Sequence, residues 1–72
     1  MALTDKEKKL GVALRDHGAS KDAMIEILMH LTLDDELDDM AWFLGENPKA
    51  DEDMLLKVAY QLDKESREKG LK

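Results

Sequence analysis

The sequence predicts an all-α protein, a compact bundle of four short helices. Apolar residues recur at intervals of three and four rather than alternating, which is the period of amphipathic helices. Ser, Thr or Asp residues precede the periodic segments as N-caps do, and the links between segments are short. We expect helices over residues 5–17, 21–31, 33–44 and 52–69, forming one small helical domain over residues 1–72.

The first expected helix begins after Thr4, which has capping-box spacing with Glu7. Gly18 suits the position just beyond a helix C-terminus, where a left-handed conformation is common. The apolar stripe that would face the core consists of Leu10, Ala13, Leu14 and His17.

The second expected helix begins after Ser20, and its inward stripe is Met24, Ile27, Leu28 and Leu31. Together with the first helix and the turn at Gly18, it gives the first half of the chain a helix-turn-helix-like spacing. A DNA-reading helix needs Arg, Lys, Asn or Gln on its exposed face, whereas this one offers Lys21 as its single firm cation. The sequence therefore argues against direct DNA binding by the monomer.

The third expected helix is capped by Thr32 and stops at Gly45, although the second and third helices could also run on with a kink. Its inward stripe is Leu33, Leu37, Met40, Ala41 and Leu44. Pro48 keeps the following link open because the residue before a proline disfavours α geometry. The fourth helix is capped by Asp51, and its inward residues are Met54, Leu55, Val58, Ala59 and Leu62.

The net charge of −6 is concentrated in one part of the chain. Residues 32–53 carry nine acids and one base, a net charge of −8, whereas residues 1–31 are neutral and residues 54–72 carry +2. Asp34, Asp35 and Glu36 fall in the first turn of the third helix, where acids compensate the helix dipole and aid solubility. The same field also attracts basic partners and repels phosphate backbones.

Several apolar residues are left over once the core stripes are assigned. Trp42 falls on the acidic side of the third helix, and an exposed indole is typical of interfaces. The candidate partner-binding surface combines aromatic and aliphatic residues with an acidic rim: Trp42, Phe43, Leu56, Tyr60, Asp35, Asp38 and Asp39. Val12, Ile25 and Met29 are further surplus residues, and the last two belong to the core if the second helix is central. The sequence leaves open whether five of these residues are core or exposed: Trp42, Ile25, Met29, Leu56 and Tyr60.

The sequence offers no convincing catalytic or metal site. It contains no Cys, and His17 and His30 are too far apart in sequence for a zinc pair. Asp16, His17 and Ser20 have the residue types of a catalytic triad, but adjacent helical residues point apart. A calcium loop that starts at Asp34 would lack both the required glycine and the bidentate Glu, and one that starts at Asp35 would place Leu37 at a ligand position. We therefore expect neither an enzyme nor a cofactor.

The pattern favours a non-catalytic interaction or regulatory module that docks either a protein partner, for which a basic protein is one option, or a second copy of itself. The alternative is a nucleic-acid-related regulator. It would be either a helix-turn-helix-like domain that needs a partner for DNA contact, or an acidic mimic that binds a basic protein. The first residues, MALTDKEKKLG, contain no apolar run resembling a signal peptide, and no segment is apolar enough to span a membrane. The sequence therefore predicts a cytoplasmic protein.

Overall fold

The fold prediction is confirmed: the chain forms a compact all-α bundle of four helices. The computed structural model describes residues 3–72, so the first two residues of the expected domain lie outside the described part. The helices are α1 (Asp5–Asp16), α2 (Lys21–His30), α3 (Asp34–Glu46) and α4 (Glu52–Glu68). No helix in the described range is long and apolar enough to cross a membrane.

Three of the four predicted N-caps are confirmed by hydrogen bonds. Thr4 and Glu7 form the reciprocal capping box of α1, with the Glu7 amide donating to Thr4 Oγ1 at 3.2 Å. Ser20 caps α2 and Asp51 caps α4, each accepting from the amide three residues later. Gly18 has a φ of 85° in the turn between α1 and α2, a conformation that glycine adopts without steric cost.

The start of α3 differs from the prediction, because Thr32 is not its cap. Leu33 occupies the N-cap position, and its side chain cannot accept a hydrogen bond. Glu36 supplies the acceptor instead, since its Oε1 takes hydrogen bonds from the amides of Thr32 at 3.1 Å and Leu33 at 3.0 Å. The C-terminus also differs: α3 continues through Gly45 to Glu46.

The helices pack in the cyclic order α1, α2, α4, α3, with a core drawn from all four. The largest fully buried side chains are Leu10, Leu14, Ile27, Leu31, Met40 and Leu55. Two residues expected to face inward, Ala41 and Met54, are exposed. The sequence left open whether Ile25 and Met29 belong to the core, and both are exposed, since within residues 3–72 α2 packs only against α1 and α4.

A cluster of charged side chains around Lys72 connects α2, α3 and α4. Lys72 Nζ lies 2.9 Å from Glu36 Oε2 of α3 and 2.5 Å from Asp63 Oδ1 of α4. The same ammonium donates to the carbonyl oxygen of His30 at the end of α2. His30 Nδ1 and Arg67 Nε also lie within 3.1 Å of the Asp63 carboxylate.

These contacts change the acidity of the cluster. Hydrogen bonds from Lys72 and then from His30 lower the pKa of Asp63 from 3.8 to about 2. Burial acts to raise the pKa of Glu36, but hydrogen bonds from Lys72 and the Leu33 amide outweigh it, so that pKa is lowered. Both carboxylates therefore stay ionised at neutral pH and hold the ammonium between them.

We predict that acid weakens the fold through Asp63. The pKa of Asp63 in the folded chain lies below its ordinary value of 3.8, so the ionised carboxylate makes its full contribution to the free energy of unfolding above about pH 4. That contribution is lost as the pH falls towards 2. The variant Asp63→Asn should unfold at a lower urea concentration than the native chain at pH 7, and the difference should shrink as the pH falls.

Urea unfolding at several pH values measures this effect. Asp53→Asn is the matched control, since Asp53 is an exposed acid of the same helix and forms no salt bridge within residues 3–72. A difference between Asp63→Asn and the native chain that stays constant from pH 7 to pH 2 would contradict the prediction.

Candidate interaction surfaces

Trp42 projects from α3 into solvent and is 67% exposed. Leu37, Met40 and Leu44 of the same helix are buried, which fixes the side of α3 that faces the core. Trp42 follows Met40 by two residues, a rotation of about 200° on a helical wheel, so it points away from that core. The prediction left open whether Trp42 was core or exposed, and the structure places it at the surface.

Carboxylates flank this indole on both sides. Asp38 and Asp39 precede Trp42 by one helical turn, Asp35 precedes it by two turns, and all three are exposed. Asp38 Oδ2 forms a salt bridge with Lys6 Nζ of α1 at 3.1 Å. Asp35 and Asp39 form no salt bridge within residues 3–72. We call Trp42 with these three aspartates the Trp42 face.

The other three predicted partner-binding residues lie elsewhere. Phe43 and Leu56 are half-buried and pack against the hydrophobic core. The Tyr60 hydroxyl donates to Glu26 of α2, and the Tyr60 ring meets the His30 ring edge-on, with centroids 4.8 Å apart. The hydrogen bond to Glu26, together with burial, raises the pKa of Tyr60. Tyr60 therefore joins α4 to α2, on a different side of α4 from the one packed against α3.

A second apolar surface, formed by more residues than the Trp42 face, lies between α1 and α2. The sequence analysis identified some of its residues but not that they form one surface. Met29, at 73% exposed, is the most exposed large hydrophobic residue described. A groove of about 300 Å³ runs between the two helices, and we call it the α1–α2 groove. Its apolar lining is Leu3, Gly11, Val12, Met24 and Leu28, and a neighbouring hollow adds Ile25 and Met29.

Gly11 is the most informative residue of this groove. It lies in the interior of α1 with a buried backbone, and a Cβ placed there would meet no other packed atom within 4 Å. Its φ is not positive, so the backbone conformation does not require glycine either. Glycine inside a helix costs about 1 kcal/mol relative to alanine. Within residues 3–72, nothing in the packing explains that cost.

The charges along the groove have the opposite sign to those of the Trp42 face. Lys8 and Arg15 line the groove and form no salt bridge within residues 3–72. Glu7 also lines it, but its carboxylate accepts the Thr4 amide in the capping box of α1. The cations of the groove are therefore free to meet carboxylates from outside.

Within the described part of the chain, no group of three or more His, Asp or Glu side chains is placed to hold a metal ion. His17 has both ring nitrogens near backbone carbonyl oxygens, Ala13 O at 3.0 Å and Leu44 O at 3.2 Å, and so joins α1 to α3.

No protein-family model, curated protein or solved structure matches the chain.

We predict that Gly11→Ala stabilises the monomer. The added methyl group enters open space and restores helix propensity, so the free energy of unfolding should rise by about 1 kcal/mol. For a domain of this size that corresponds to a melting temperature about 4–8 °C higher.

Thermal unfolding followed by circular dichroism at low protein concentration measures the effect. Gly18→Ala is the matched control and should destabilise, because Gly18 holds a φ of 85° that a Cβ disfavours. A loss of stability in Gly11→Ala would show that Gly11 is needed for the fold itself.

Proposed function

We propose that the protein is a non-catalytic, cytoplasmic interaction module that binds a partner protein through the Trp42 face. The observation that carries this proposal is the position of Trp42, an exposed indole between aspartates that form few contacts within the molecule. Trp is enriched among the residues that dominate binding energy at interfaces. A side chain so placed contributes little to the fold of its own chain.

The energetic argument favours burial of this indole by a partner. A Trp side chain buries about 150–250 Å² in an interface, which at about 25 cal/mol/Å² corresponds to roughly 4–6 kcal/mol. Because two thirds of Trp42 is exposed, most of that free energy is not realised in the monomer. Ordering and desolvation on association reduce the net gain.

The charge of the Trp42 face selects the chemistry of the partner. Asp35 and Asp39 would meet Lys or Arg side chains beside an apolar pocket that receives the indole. Complementary charge raises the association rate and excludes acidic surfaces. The partner proposed here is therefore a protein surface that is apolar at its centre and basic at its rim.

The acidic mimic of nucleic acid is the second candidate, because it would use the same three aspartates. Direct DNA reading has no comparable support: the outer side of α2, which would be the recognition helix, presents Ile25 and Met29. The mimic and the interaction module differ in what they require of Trp42. A mimic works through carboxylates, whereas the module works through the indole with the carboxylates as a rim.

We predict that a short helical peptide of Leu and Lys binds the Trp42 face. Burial of the indole should shift Trp42 fluorescence emission, which is expected to be red-shifted in the free protein, towards shorter wavelength. Affinity should fall with added salt because the rim contacts are charged. Trp42→Ala should weaken binding about 30-fold, the size of an interface hot spot, as measured by calorimetry.

The controls separate the alternatives. Met54→Ala removes another exposed apolar side chain and should bind as the native chain does. A peptide with Glu in place of Lys should not bind. If Trp42→Ala retains full affinity while the triple variant D35N/D38N/D39N loses it, the acidic-mimic function is supported and the module is wrong. If neither change affects binding, both functions fail.

A further inference from the structure

We infer that the α1–α2 groove receives the Trp42 face of a second copy of the chain. This inference rests on the proposed function and names one partner for it. The groove and the Trp42 face are on different helices and point away from the same core, so one molecule cannot join its own two surfaces. Each copy would offer a projecting indole and an open groove at once.

The shapes of the two surfaces are complementary. The Trp42 face is convex, because one large side chain projects from a helix among short aspartates. The groove is concave where Gly11 lacks a side chain, with Val12, Met24 and Leu28 around the gap. Neither packing within the described chain nor backbone conformation requires glycine at position 11. Close approach of another chain to the helix backbone would require it.

The charges of the two surfaces also complement each other. The Trp42 face carries Asp35 and Asp39 without salt bridges, and the groove carries Lys8 and Arg15 without salt bridges, within residues 3–72. Seating the indole beside Gly11 would bring the opposite charges to the rim of one contact. Because the unpaired charges of the groove are positive, it fits the acidic Trp42 face of a second copy better than a basic or neutral partner.

The symmetry of the contact follows from its two different halves. A head-to-tail contact between two different surfaces is heterologous, and every open assembly built from it has a free groove at one end and a free Trp42 face at the other. Such a contact produces open chains or closed rings. In a two-fold symmetric dimer each copy would use both surfaces at once, and native assembly would stop at two copies. The size of the native assembly therefore separates the two arrangements, and two single variants test the contact itself.

Two variants each remove one half of the contact. Trp42→Ala removes the projecting side chain and keeps the groove. Gly11→Gln fills the groove with a side chain that helices tolerate and keeps the Trp42 face. Circular dichroism should show both folded, since the first site is exposed and the second opens onto free space.

The test is sedimentation of each protein alone and of the two variants mixed in equal amounts, at concentrations on the order of 10 μM to 1 mM. We expect the native chain to form dimers and larger species as its concentration rises, and each variant alone to stay monomeric. The mixture should form a 1:1 dimer and nothing larger, because only one complementary pair of surfaces remains.

Met54→Ala, the exposed-residue control, should associate as the native chain does. A native chain that is monomeric over the whole range, or a mixture that stays monomeric, would overturn the inference. Native association that either single variant leaves intact would also overturn it.

These outcomes are distinguishable from failure of the proposed function. Gly11→Gln keeps the Trp42 face, so it should bind the Leu/Lys peptide with native affinity. Peptide binding without self-association rejects the second copy as partner and leaves the interaction module standing. Loss of peptide binding in Gly11→Gln would show that the peptide occupies the groove, which contradicts both proposals.

Discussion

The buried carboxylate of Glu36 is the constraint on which the arrangement of the helices depends. It is 2% exposed, accepts the two amides that lead into α3, and faces the ammonium of Lys72. Lys72 in turn contacts Asp63 of α4 and the carbonyl of His30 in α2. A buried ion pair adds little net stability, but removal of one member leaves an uncompensated charge. The cluster therefore favours one arrangement of three helices over other compact packings of a small core.

The same carboxylate sets the rotation of α3 and with it the position of the indole. Glu36 faces inward, and Met40 one turn later continues that buried side. The outward side then holds the three aspartates of the Trp42 face and Trp42 itself, all of which are exposed. A rotation of α3 that buried the indole would bring Glu36 into solvent and leave Lys72 without one of its two carboxylates. Exposure of Trp42 thus follows from the buried apolar stripe of α3 together with the polar cluster.

Local signals in the sequence were sufficient for the helices but not for the contacts between them. Caps such as Ser20 and Asp51 act within four residues and were read correctly. Glu36 was read as a first-turn acid, because its burial depends on a lysine far along the chain. Helical periodicity placed Trp42 on the acidic side of α3 but left open whether another helix covers it. Periodicity did not reveal the α1–α2 groove, since the groove requires the crossing of two helices, and no sequence pattern gives the open space beside Gly11.

One feature of this chain lowers the stability of the monomer, and another adds nothing to it. Gly11 weakens α1 without a packing reason within the described residues, and the exposed apolar side chains of α2 and α3 gain nothing from the core. A chain of this size has only a few kcal/mol of stability to lose, because small domains bury a modest fraction of their surface. Features that cost stability without a reason in the fold are expected where activity depends on them. The proposed contact between the Trp42 face and the α1–α2 groove would account for both features together.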